Sequence, residues 1–252
     1  MYKTIITYIA SLIISSMIFI SACRSEEIII GTIKDLKPLA QDLKSSFEED
    51  NPNIIINFIT GKESELVEIF QSPDTFIDMI FLDNKYTLEE LSKQNFINKK
   101  SIKELGKDQL CVVVKKSIEM RAFMLYPKTS VMKGLIVSNP SITSLGRHTK
   151  EALSNLNLWE KAAKKIIFFE NNNDIASTVS RGNYDGGIMY CSFAKRSFIQ
   201  ISDYLNPTLH KPIIYSSGIN IEADSNSAIY KFNQFLSSPK AKSIFKKYAI
   251  NI

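Results

Sequence analysis

The chain is poor in residues that carry metal and redox chemistry. It has two histidines, His148 and His210, and three cysteines, Cys23, Cys111 and Cys191, in 252 residues. Two histidines exclude a His-rich metal centre, and three cysteines exclude a disulfide scaffold. No Gly-x-Ser-x-Gly elbow is present, so the usual nucleophile turn of an α/β hydrolase is missing. Excess charge of one sign is also small. The 31 basic and 26 acidic side chains leave +5, and the two signs are interleaved. Such a pattern reads as solvated faces and offers no basic tract for nucleic acid. There is no low-complexity linker and no short internal repeat. What is present is a globular balance, 44% hydrophobic and 23% charged. The length buries a large core, as one big domain or two of about 100 residues each.

The N-terminus reads as an export segment. Lys3 is the only charge before Arg24, and the stretch from Ile5 to Ile20 is mostly apolar. A basic start, an apolar middle and small residues before a break describe a secretory signal. Ile20-Ser21-Ala22-Cys23 is similar to a bacterial lipobox, so residues 1–22 are expected to be removed and Cys23 to carry a lipid. The alternative is a single membrane-spanning anchor, weakened by Thr4, Thr7, Ser11, Ser15 and Ser16. Either way the remainder is exported and tethered to the cell membrane, on its periplasmic or cell-surface side. Cys111 sits in the apolar run Leu110–Val114, and Cys191 follows a different strand. The expectation is two separate buried thiols, with one disulfide as the alternative in an oxidising compartment.

Strand and helix patterns alternate along the rest of the chain. Ile28-Ile29-Ile30 is a buried-strand run, and Leu36, Leu39, Ala40, Leu43 and Phe47 follow at helical spacing. Asn51-Pro52-Asn53 ends that helix. Strands at Ile54–Ile59, Ile77–Phe81 and Leu110–Val114 alternate with helices over Leu66–Phe70 and Leu88–Leu91. A second set begins near residue 134, with strands at Leu135–Val137, Ile166–Phe169 and Gly187–Tyr190 and helices at Leu145–Leu156 and Ile175–Val179. Two amphipathic helices close the chain, the last opened by Ser238-Pro239 as N-cap and first helical residue. This order predicts an α/β protein with mainly parallel sheets in two lobes. Ligands in such sheets bind beyond the carboxyl ends of the strands.

With these segments in view, the chain resembles the substrate-binding proteins of ABC importers, specifically the molybdate-binding type. The resemblance runs from Glu27 to Ile252. It is carried by Gly31-Thr-Ile-Lys-Asp-Leu36, by Phe76-Ile-Asp-Met-Ile-Phe81, and by Asn139-Pro140 followed by Ser144-Leu-Gly-Arg-His-Thr-Lys-Glu-Ala-Leu153. Trp159, Gly187-Ile-Met-Tyr190 and Ser237–Tyr248 add to it. The resemblance implies a periplasmic-binding-protein-like fold. Lobe 1 would comprise residues 23–114 and 215–252, and lobe 2, residues 115–214, would be inserted in it. Hinges would lie near Val114–Ser117 and Pro212–Ser216. It also implies a small oxyanion, molybdate or tungstate, held by neutral donors in a cleft. The partners would be an importer permease and, through the lipid, the membrane. The protein would be a monomer with no cofactor, no catalytic step and no metal.

Carried onto this chain, the family's ligand positions fall on Asp35, on Thr60 and Gly61, on Leu145, on Asn172 and on Tyr190. Asp35 stands where the family has a neutral Ser, and an acid there opposes an anion. Plainer readings accompany each candidate: Asp35 as a helix N-cap, Tyr190 as a core aromatic, Arg147 and His148 on an exposed helix face, Glu63 and Glu170 in solvent. If Glu63 and Glu170 line the cleft with Asp35, a metal cation becomes an alternative ligand. A surface lipoprotein that has lost its solute site is the other alternative.

Overall fold

In the computed structural model, residues 25–115, 134–184, 186–197, 199–223 and 228–252 are described. Cys23 and the export segment lie outside them, as does half of the first expected hinge. No helix of the described residues is long and apolar enough to cross a membrane.

The first sheet has strand order β2-β1-β3-β10-β4. Its strands are β1 (Glu26–Ile33), β2 (Ile54–Gly61), β3 (Met79–Leu82), β4 (Lys103–Asp108) and β10 (Ile213–Ile219). Helices α1 (Lys37–Asp50), α2 (Glu63–Gln71) and α3 (Lys85–Lys93) connect them. The second sheet has order β7-β6-β8-β5-β9. It holds β5 (Leu110–Val114), β6 (Leu135–Ser138), β7 (Ile166–Phe169), β8 (Gly186–Tyr190) and β9 (Gln200–Tyr204). With it go α4 (Ser144–Asn155), α5 (Trp159–Ala162), α6 (Asn172–Arg181) and α7 (Cys191–Arg196). The chain ends in α8 (Ala228–Phe235) and α9 (Pro239–Lys247), which lie on the first sheet's core.

Each sheet is half parallel. β1 pairs parallel with β2 and β3, and β6 with β7 and β8. The strands that leave or return between the sheets, β10 and β5, pair antiparallel with both their neighbours. The sheets are therefore mixed where the sequence suggested mainly parallel. The βαβ crossovers force parallel pairing, and the strands outside them are free of that constraint. The expected first lobe included Leu110–Val114, but that strand hydrogen-bonds to β8 and β9 in the second sheet. The chain thus changes sheets at Gln109 and again between Tyr204 and Ile213.

Asp108 pins the first of these crossings. One carboxylate oxygen accepts from the Gln109 and Ser192 N–H groups at 2.8 and 3.2 Å. The other accepts from Tyr215 Oη at 2.6 Å. One buried carboxylate therefore ties together β4, α7 and β10.

The cysteines correct the expectation of separate thiols. Cys111 and Cys191 form a disulfide, with their Cα atoms 5.1 Å apart. β5 and β8 are antiparallel neighbours with Leu110 opposite Tyr190. Cys191, one step beyond the end of β8, therefore lies beside the start of β5. A strand adjacency formed by residues so far apart in sequence is not visible in the local pattern.

Candidate functional site

The parallel strands of both sheets end at one place. From the first sheet, Lys34 and Asp35 follow β1, Gly61 ends β2 with Lys62 and Glu63 after it, and Asp83 follows β3. From the second, Ser138 ends β6, Thr143–Leu145 open α4, and Glu170–Asn171 follow β7. These residues wall a cavity of about 40 Å³, space for roughly three water-sized groups. The position is the one that α/β sheets use for ligands, beyond the carboxyl ends of their strands.

The helix starts explain its shape. Thr143 caps α4 by accepting from the Gly146 N–H at 3.0 Å. Asn171 caps α6 by accepting from the Asp174 N–H at 2.9 Å. Among the described residues the Leu145 N–H has no hydrogen-bond acceptor, as a helix start allows, and Leu145 lines the cavity. Gly146 lets α4 pack against the Asn139-Pro140 turn, whose backbone would meet any added Cβ at 2.4 Å.

Three acids of the first sheet's loops reach across to donors on the second. Asp35 Oδ2 accepts from the Asn172 N–H at 3.1 Å and from Asn172 Nδ2 at 2.7 Å. Asp83 accepts from Ser144 Oγ at 2.5 Å and from Tyr190 Oη at 2.7 Å. Glu63 takes an ion pair from Arg147 and hydrogen bonds from Asn84 and Thr87. One pair runs the other way, with Lys62 Nζ 3.0 Å from Glu170. Asn172 also braces its own sheet, its Oδ1 accepting from the Tyr190 N–H at 3.0 Å.

The candidate residues fall as follows. Asp35, Gly61 and Leu145 line the cavity. Asn172 and Tyr190 stand just behind it and join it through Asp35 and Asp83. Thr60 is not on the wall. Asp35 caps no helix of its own, because the turn it belongs to has no side-chain cap; it meets the start of α6 on the other sheet instead. Tyr190 is buried, yet its hydroxyl faces the acids. Glu63 and His148 are each 5% exposed, which corrects the solvent-facing readings. Arg147 keeps an exposed side chain while pairing with Glu63, and Glu170 is half exposed while pairing with Lys62. Asp83 and Ser144 were not singled out. Asp83 sits one residue past an apolar strand, where an acid reads as a turn residue, and nothing local marks it as buried.

Burial drives the electrostatics. Asp83 is pushed up to about 7, first by desolvation and then by repulsion from Glu63, against the pull of Ser144 and Tyr190. Asp35 is raised by desolvation too, in part offset by its bonds to Asn172. His148 is lowered to about 3 by burial and by the nearby His210, Arg147 and Lys211. It is therefore a neutral ring packed beside Tyr190. Among the described residues no group of three or more His, Cys, Asp or Glu is arranged to hold a metal ion.

A stability profile follows from Asp83. Its folded value lies above its unfolded one, so the folded state holds the extra proton between about pH 4 and 7. Its contribution is complete below about pH 4 and falls as the pH rises through 7. Asp35 and Asp108, also raised by burial, act in the same sense. Urea denaturation at stepped pH is expected to show stability falling from pH 5 to pH 7.5. Asp83→Asn should flatten much of that slope; an unchanged slope would refute the assignment.

The comparisons add the family. A family model described as bacterial extracellular solute-binding protein matches residues 28–249. The chain belongs to that family. A full-length relative is YvgL of Bacillus subtilis, named as an ABC transporter substrate-binding lipoprotein, 24% identical over 98% of both chains. The molybdate-binding protein ModA of Escherichia coli is 25% identical over 84% of both. Among solved structures, the periplasmic molybdate-binding protein of Azotobacter vinelandii superposes with a TM-score of 0.75 at 16% identity. The match covers 89% of this chain and 99% of that one. This solute-binding protein shares the two-sheet periplasmic fold of that structure, and the sequence resemblance to the molybdate-binding type stands.

Proposed function

We propose that this solute-binding protein serves an ABC importer and holds a small tetrahedral oxyanion, of the shape of molybdate and tungstate, between its two sheets. The single observation that carries the reading is the cavity at the strands' carboxyl ends. Both sheets wall it, and Ser144 and Leu145 at the start of α4 line it. Helix-start N–H groups and hydroxyls bind oxyanions without a full positive charge. The lobes would divide at Gln109 and between Tyr204 and Ile213 and close around the ligand. A lipid on Cys23 would tether the monomer to the outer side of the membrane beside its permease. No chemical step is assigned to any residue.

A melting series with molybdate, tungstate, sulfate, phosphate and arsenate tests the reading. An oxyanion at a hundredfold excess over its Kd is expected to add about 2.7 kcal/mol, a rise of roughly 5–10 °C in Tm. The alternative, a surface lipoprotein without a solute, is favoured by the way Asp35 and Asp83 themselves occupy donors of the second sheet. It predicts no shift with any anion, and that result would sink the receptor reading.

A further inference from the structure

We infer that Asp35 selects the ligand by its proton. It accepts a hydrogen bond from a tetrahedral oxyanion that carries hydrogen at neutral pH, the hydrogenphosphate and hydrogenarsenate class. It disfavours oxyanions with no hydrogen, such as molybdate, tungstate and sulfate. The inference rests on the oxyanion reading above and narrows it.

The geometry of one carboxylate carries the argument. Asp35 lines the cavity. Its Oδ2 is held from two directions by the Asn172 N–H and Nδ2, at 3.1 and 2.7 Å. That double grip fixes the plane of the carboxylate. Its Oδ1 is buried and has no hydrogen-bond partner among the described residues. A buried acceptor without a donor is a standing cost, and a donor brought by the ligand removes it. In its ionised form the carboxylate only accepts, and the hydrogen then comes from the ligand.

The other acids on the wall are already satisfied. Asp83 is taken by Ser144 and Tyr190, and Glu63 by Arg147, Asn84 and Thr87. Lys62, the cation that would best offset a dianion, is committed to Glu170. An oxyanion with no hydrogen would set its lone pairs against Oδ1 with no donor between them. One with an O–H turns the same contact into a charge-assisted hydrogen bond. A site built around a ligand hydrogen rejects analogues that lack it far more strongly than it rejects a change of size.

Calorimetric titration of the full chain at pH 7.5 and fixed ionic strength tests this. The probes are sodium phosphate, arsenate, molybdate, tungstate and sulfate. Phosphate or arsenate is expected to bind at least about a hundredfold more tightly than molybdate. Asp35→Asn is isosteric. It retains an oxygen for the two Asn172 donors and turns an amide N–H toward the cavity. That variant should lose most of the preference or reverse it, and Asp35→Ser should do the same if the asparagine variant folds poorly. Wild-type protein binding molybdate or tungstate as tightly as phosphate overturns the inference and leaves the proposed function standing. So does an unchanged preference in a variant that melts like the wild type. Failure of every oxyanion on wild type and variants alike overturns both.

Discussion

Replacing Cys111 and Cys191 together by alanine is expected to cost about 4 kcal/mol of stability. The bond spans a sequence separation of 80 residues. Opening so long a loop returns considerable entropy to the unfolded chain. For a chain of this size the loss corresponds to a fall of roughly 10 °C in Tm. Both residues are almost fully buried in the second sheet's core, so packing loss adds to the effect. The check is thermal denaturation with and without reductant. Reductant should destabilise the wild type and leave the double variant unmoved. Two reactive thiols at these positions in denatured, unreduced protein would contradict the pairing. The bond also fits an exported protein, because disulfides persist where the surroundings are oxidising.

Gly146→Ala should have the second large effect. The new Cβ would lie 2.4 Å from the Asn139 carbonyl carbon, 2.5 Å from Pro140 N and 2.6 Å from the Asn139 oxygen. These are backbone atoms, so no side-chain rotation relieves the clash and α4 must shift. Overpacking of this kind costs about 1–3 kcal/mol. The shift carries Ser144 and Leu145 with it. Ser144 gives its hydroxyl to Asp83, and Leu145 lies at the cavity wall. Oxyanion affinity is expected to fall at least about tenfold, which is about 1.4 kcal/mol. Chemical denaturation and calorimetry on one preparation measure both. A variant that keeps wild-type stability and affinity would show that the Asn139-Pro140 turn yields freely.

Much of the fold was legible because its central strands are apolar runs and its helices carry one apolar stripe. Ile28–Ile30, Leu135–Val137 and Gly187–Tyr190 each lie between two neighbouring strands and show it in composition. β4 and β9 did not, since both are edge strands of polar composition, unlike the apolar edges β2 and β7. Lys103–Asp108 holds four charged residues in six positions, as an edge facing water allows. β10 is buried along its whole length, but Ser216, Ser217 and Gly218 interrupt its apolar run. The expected lobe boundary at residue 114 put Leu110–Val114 with the first lobe, whereas that strand pairs within the second sheet. An apolar strand looks the same in either sheet.

The site divides in the same way. The family resemblance singled out Asp35, Thr60, Gly61, Leu145, Asn172 and Tyr190, and crossover connections are what bring positions near strand ends to one edge. Local sequence also set the N-caps Thr143, Asn171 and Ser238, which act within a few residues of themselves. Tertiary structure decided what each acid does. The identity of Asp35 was plain from the start, but its grip on Asn172 joins residues 137 positions apart. The Asp83 bond to Tyr190 and the Glu63 pair with Arg147 likewise cross from one sheet to the other. A carboxylate's role depends on its burial and on the donor opposite it, and both are set by the packing of distant segments. The sequence determined that two α/β units meet at their strand ends. Only the fold turned three scattered acids into the lining of one small cavity and left one buried oxygen of Asp35 without a donor among the described residues.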